Sequence, residues 1–102
     1  MYRASDRVEH EDYLAELETV AERLDLDGEA RSHAADLFLS SLPDAERSKR
    51  ATLATAVYCG ALLAGDQRSQ GEVAEAMDVS RLTVQQRWKE MLETVGLEPP
   101  TW

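Results

Sequence analysis

Residues 51–64 read Ala51-Thr52-Leu53-Ala54-Thr55-Ala56-Val57-Tyr58-Cys59-Gly60-Ala61-Leu62-Leu63-Ala64, with no charged side chain anywhere in the run. A helix that is apolar on nearly all sides belongs in the middle of a protein, surrounded by other elements. These 14 residues are too few to span a bilayer, which takes about 20. Ala54, Gly60 and Ala61 are small enough to let neighbouring helices approach closely. Gly65 follows the run and can adopt the left-handed conformation that closes a helix. The run predicts a buried central helix over 48–64.

Working outward, helical spacing continues on both sides. Over 7–24, Tyr13, Leu14, Leu17, Val20, Ala21 and Leu24 share one stripe, and acids fill the other faces. Asp6 is placed to cap that helix. Asp25-Leu26-Asp27-Gly28 interrupts the pattern. Over 29–42, Ala30, Ala34, Leu37, Phe38 and Leu42 form a second stripe, which Pro43 ends because proline has no amide to donate and restricts the residue before it. Downstream, Ser69 and Glu72 have capping-box spacing for a short helix over 70–77. Ser80 caps a last helix over 81–95, whose stripe is Val84, Trp88, Met91, Leu92 and Val95. Gly96 and Pro99-Pro100 stop it. The whole chain, 1–102, reads as one all-α domain of five helices.

Composition agrees. The chain has 102 residues, 43% hydrophobic and 30% charged, which suits one globular domain with a modest core. Its single cysteine, Cys59, cannot form an internal disulfide, and no Cys/His cluster has the spacing of a metal site. No Ser-His-Asp set, phosphate loop or metal-ligand group is present, so no catalytic residue, metal or cofactor is expected, nor an enzyme. His10 and His33 are isolated and read as surface or boundary residues. The amino-terminal residues lack the apolar core of a signal peptide, and a cytoplasmic, non-membrane protein is expected.

The net charge is −9, from 20 acids against 11 bases. Residues 1–27 hold nine acids and three bases, whereas 48–102 hold seven and six. Two lysines against nine arginines accompany the excess acid. This pattern reads as a salt-adapted surface of the halophilic kind, or as an acidic face for a basic partner. Such a field also opposes non-specific attraction to nucleic-acid phosphates.

The last two helices carry the functional signal. A short capped helix passes through Met77-Asp78-Val79 into a second capped helix, with Ala74 at the crossing and Val79 and Val84 at the corner. This is the pattern of a helix-turn-helix. In such a motif the second helix presents its first turns to base edges. Leu82, Gln86, Lys89, Glu90 and Glu93 lie opposite the apolar stripe, flanked by Arg81 and Gln85 on one side and Thr83 and Arg87 on the other. Gln can read adenine and Arg guanine. Ser69 and Gln70, at the positive end of the first helix, are placed for a phosphate. The same geometry also serves plain packing or protein binding.

The stretch from Arg50 to Leu63, with Ala54 and Tyr58, resembles the alanine-rich third helix of a cyclin-like repeat. Ser69-Gln70-x-Glu72-Val73-Ala74-Glu75-Ala76, then Val79-Ser80-x-x-Thr83-Val84-x-x-Arg87-Trp88-Lys89-Glu90-Met91, is similar to the closing helices of the C-terminal repeat of archaeal transcription factor B. That resemblance implies a five-helix cyclin-like repeat and a transcription regulator that reads a promoter element through the fifth helix. The implied DNA contacts are Ser69, Gln70, Thr83, Gln85, Gln86, Arg87 and Lys89, to which the helix-turn-helix reading adds Arg81. It also implies TATA-binding protein or RNA polymerase as partners, and a halophilic archaeal source follows from the acidic composition. A full factor has a zinc ribbon and two repeats, and this chain has neither the cysteines nor the length. Gln85 stands where the family tends to have a basic residue. A stand-alone regulator, a homodimer that mimics two repeats, or a protein-interaction module without base reading are the resulting alternatives.

Overall fold

A computed structural model of the protein describes residues 10–41 and 46–99, with the side chains of 46–48 left undescribed. Among the described residues five helices form: α1 (Glu11–Arg23), α2 (Gly28–Ser40), α3 (Glu46–Leu63), α4 (Gln70–Met77) and α5 (Arg81–Thr94). No strand occurs among the described residues. The all-α expectation holds, and every helix edge except those of α4 and the start of α5 moves by one to four residues.

α1 begins at Glu11, after His10, which sits in a turn and accepts the Leu14 amide on its carbonyl at 3.0 Å; the expected start at residue 7 lies outside the described residues. Glu11 and Asp12 then place negative charge at the positive helix end. Asp6, the expected cap, lies outside the described residues, as do Leu42 and Pro43. α2 is capped by Asp27, whose carboxylate accepts the Ala30 amide at 2.8 Å. Ser69 and Glu72 form the full reciprocal capping box of α4, and the Ser80 hydroxyl accepts the Leu82 amide at 3.2 Å.

Four helix ends share one closure. After α3 and α5, Gly65 (φ +73°) and Gly96 (φ +82°) turn left-handed, and Asp66 and Leu97 donate back to Ala61 and Leu92, each at 2.9 Å. After α1 and α4, Asp25 (φ +56°) and Asp78 (φ +57°) take the same conformation, with Leu26 and Val79 donating to Ala21 and Ala74. Aspartate is one of the few residues with a side chain that enters this region routinely.

The core is built around α3, from Thr52 to Ala61, all of it buried. Leu17, Val20 and Ala21 of α1 meet it from one side and Ala30, Ala34, Leu37 and Phe38 of α2 from another. Val73, Ala74 and Met77 of α4 and Val84, Trp88, Met91 and Leu92 of α5 complete the cover. Tyr58 packs edge-on to Trp88, with ring centroids 5.5 Å apart. The charge-free run is not buried throughout. Leu62 is half-buried and Leu63 is 38% exposed, because the last turn of α3 emerges beyond its neighbours. Leu26, in the interrupting segment, is a core residue instead.

Arginines tie the helix-turn-helix to this body. Arg50 of α3 pairs with Glu16 of α1 and donates to the Met77 carbonyl at 2.6 Å. Arg23 of α1 donates to the Ala76 carbonyl at 3.2 Å. Both therefore occupy the negative carbonyl end of α4. Arg68, just before α4, donates to the Leu24 and Asp25 carbonyls that end α1. It also holds Asp66 at 2.7 Å, and that hydrogen bond is the first cause of a lowered Asp66 carboxyl pKa.

Candidate nucleic-acid interface

α4 and α5 are joined by Asp78, Val79 and Ser80, the three-residue connection of a helix-turn-helix. Ala74 is buried at the crossing, Val84 is fully buried beneath the corner and Val79 is half-buried beside it. The left-handed Asp78 makes the sharp turn, and the capping of α5 by Ser80 starts the second helix immediately after it.

The two helix starts differ electrostatically. At α4 the Ser69 amide donates to the Glu72 carboxylate at 3.1 Å, so an acid already occupies the positive end. The Ser69 hydroxyl accepts the Glu72 amide at 3.0 Å. This capping box competes with the phosphate expected at Ser69 and Gln70. α5 has no acid in its first turn, and its positive end is open to an anion.

Of the eight expected contacts, Ser69, Arg81, Gln85, Gln86, Arg87 and Lys89 are exposed, and Gln70 and Thr83 are half-buried. They do not form one patch. The Arg81 side chain crosses the first turn of α4, with Cδ 3.9 Å from where a Gly71 Cβ would stand. This brings Arg81 to the Ser69–Gly71 turn. Gln85 and Lys89 follow Arg81 along the same flank of α5 at four-residue spacing. The Lys89 ammonium rests over the Trp88 ring, 5.5 Å from its centroid. Gln86 points outward with Leu82, which is 55% exposed.

Arg87 belongs elsewhere. At about 100° per residue it lies roughly 120° around the helix from Arg81. Its side chain lines a groove between α5, α3 and the end of α2, with Ser41, Thr52, Thr55, Glu90 and Thr94 among its neighbours. Among the described residues neither Arg81 nor Arg87 makes a hydrogen bond or ion pair, whereas Arg23, Arg31, Arg50 and Arg68 are all engaged. Sequence reasoning did not separate these two sets. Nor did it find the groove, whose residues come from three distant segments.

Cys59 is fully buried and its Sγ donates to the Trp88 carbonyl at 3.4 Å. Burial pushes its thiol up to about 12, far from the range of a nucleophile. No group of three His, Cys, Asp or Glu able to hold a metal occurs among the described residues. No helix among them is long and apolar enough to cross a membrane.

Comparison with known proteins places this geometry. A family model described as "Transcription factor TFIIB repeat" matches residues 7–94. The transcription initiation factor IIB of Pyrococcus horikoshii is 41% identical over 54 residues, covering 53% of this chain and 18% of that protein. The factor of the same name from Methanosphaerula palustris is 32% identical over 78 residues, covering 74% of this chain and 23% of its own length. That of Pyrobaculum islandicum is 33% identical over 84 residues, covering 79% and 25%. The chain thus matches at most about a quarter of the length of these relatives. With four helices packed around a buried α3 among the described residues, and a family match that runs through both the core and the helix-turn-helix, the chain belongs to the TFIIB repeat family.

Proposed function

We propose that this chain is a non-catalytic, DNA-binding transcription regulator that inserts the first turns of α5 into the major groove. The observation that carries this reading is the start of α5. It is the positive end of a helix with no acid in its first turn, and exposed Gln85 and Gln86 stand beside an unpaired Arg81. The relatives are named as transcription initiation factors, which supports a role in the same apparatus. Partners of that class, TATA-binding protein or RNA polymerase, belong to this reading, as does pairing of two copies into a two-repeat assembly. A cytoplasmic protein of a halophilic archaeon, working at high salt, accords with the net charge of −9, because salt masks repulsion between acids and phosphates.

A selection from random duplex DNA, run across a series of potassium chloride concentrations up to molar, tests it. A reproducible sequence preference is the expected result. If Gln86 makes a bidentate base contact, Gln86→Ala should cost about 1–3 kcal/mol on the selected site and leave the helical circular dichroism unchanged. Absence of sequence preference at every salt concentration refutes base reading.

One observation favours a second reading, a protein-interaction module of the transcription apparatus. Leu82 is 55% exposed on the outward face of α5, where an apolar side chain suits a protein partner as well as a thymine methyl. Leu82→Ser would abolish capture of such a partner, and its effect on DNA binding would be confined to individual base positions.

A further inference from the structure

α5 carries a stripe whose chemistry is self-complementary end to end. Thr83, Arg87, Glu90 and Thr94 are spaced by four, three and four residues, and at about 100° per residue they fall within roughly 60° of one another. A hydroxyl stands at each end, and a cation and an anion stand equally far from the midpoint. The stripe lies roughly 90° around the helix from the outward face of Leu82 and Gln86. Arg87, Glu90 and Thr94 are exposed and Thr83 is half-buried. Among the described residues neither Arg87 nor the Glu90 carboxylate makes a hydrogen bond or ion pair. The facing groove wall is made of Ser40, Ser41, Thr52 and Thr55, all small, so a second helix can approach.

Symmetric spacing of this kind is what an isologous contact requires, because there residue i meets residue j of the other copy and j meets i. Two antiparallel α5 helices, related by a two-fold axis at the midpoint, set each Arg87 against Glu90 of the other copy. The same axis sets each Thr83 against Thr94. A parallel pair would place like charge on like charge, which repels. Other occupants match only half of the stripe: a phosphate on Arg87 would lie beside Glu90, and a cation on Glu90 beside Arg87.

We propose that two copies of this chain pair through the Thr83–Arg87–Glu90–Thr94 stripe, with their α5 helices antiparallel. The proposal rests on the pairing of two copies included in the function proposed above and names its interface; base reading by α5 is not needed for it. A single helix stripe makes a small contact, in the class below about 1,200 Å² that marks weak and transient interfaces. The pair therefore forms and dissociates with concentration. A net charge of −9 on each copy opposes association at low salt. Molar salt cuts the reach of that repulsion to about 3 Å, while partly buried ion pairs are screened much less.

Sedimentation equilibrium of the full chain, without DNA, from micromolar to millimolar concentration in molar potassium chloride, tests the proposal. The parent chain should show a monomer–dimer equilibrium. Arg87→Glu and Glu90→Arg should each lower the association constant by about tenfold or more, because both turn the paired charges into like charges. Mixed in equal amounts, these two variants should pair again, since one chain then offers two acids and the other two bases. The double variant Arg87→Glu/Glu90→Arg should self-associate as the parent does. Unchanged helical circular dichroism shows that each variant folds. A dimer that both single reversals leave intact overturns this interface and leaves the pairing of copies standing. A chain that stays monomeric throughout overturns both. Loss of dimer in the single variants with no recovery in the mixture or the double variant overturns the antiparallel register.

Discussion

Gly60 and Ala34 bring α3 and α2 together at a separation that excludes any side chain. A Cβ on Gly60 would stand 2.6 Å from the Ala34 nitrogen and 2.8 Å from both the Ala34 Cα and the Ala30 carbonyl oxygen. All three are backbone atoms, so no side-chain rotation can relieve the clash. A glycine inside a helix costs about 1 kcal/mol relative to alanine. Here that cost allows two helix backbones to touch.

Gly60→Ala should therefore destabilise the protein, against its gain in helix propensity. Overpacking of about 1–3 kcal/mol outweighs the propensity gain when backbone must move. Urea denaturation followed by circular dichroism measures it. An unchanged or raised midpoint would mean that α2 and α3 lie further apart in solution.

Leu53 and Leu62 should differ sharply although both lie in the charge-free run. Leu53 is fully buried and Leu62 only half-buried. Leu53→Ala should cost on the order of 2–5 kcal/mol, and Leu62→Ala clearly less. Equal losses in chemical denaturation would contradict the exposed last turn of α3.

Arg50 joins Glu16 to the Met77 carbonyl through one guanidinium. Its side chain is 44% exposed, so the ion pair itself contributes little, about 0–1 kcal/mol. The bond to the helix end adds a charge-assisted term. Arg50→Met should cost about 1–2 kcal/mol in all and raise hydrogen exchange at Val79 and Ser80 more than at Leu53. Arg50→Lys should restore little, because an ammonium lacks the fork that reaches both acceptors. Uniformly faster exchange across the chain would show that the contact does not act locally on the turn.

Cys59 makes stability depend on alkaline pH. Its thiol is pushed up to about 12 by burial, from 9.0. The unfolded chain loses this proton first, so the contribution is fully present below pH 9 and declines as pH rises towards 12. The slope has a limit of about 1.4 kcal/mol per pH unit in that window. Cys59→Ala should flatten the decline relative to the parent, measured by denaturation at several alkaline pH values. The native thiol should also resist alkylating reagents until the protein unfolds. Rapid alkylation under native conditions would contradict its burial.

The architecture was legible because its signals are local. A charge-free run of helical length must be interior, and Ser69, Glu72 and Ser80 satisfy backbone amides within three residues of themselves. The burial of α3, the helix-turn-helix and the two glycine closures at Gly65 and Gly96 all follow from chemistry within a few positions. Asp25 and Asp78 were less legible, since aspartate is equally at home as a cap, a turn or a solvated charge.

What only the tertiary structure decided is which polar groups are already engaged. Arg68 and Arg87 carry the same charge in the sequence. Arg68 spends its guanidinium on the Leu24 and Asp25 carbonyls, more than 40 residues away, while Arg87 remains unpaired in a groove made by three helices. Helical periodicity reports which face of a segment avoids water. It carries no information about which distant carbonyl or carboxylate the opposite face will meet, because that partner is set by how the helices cross.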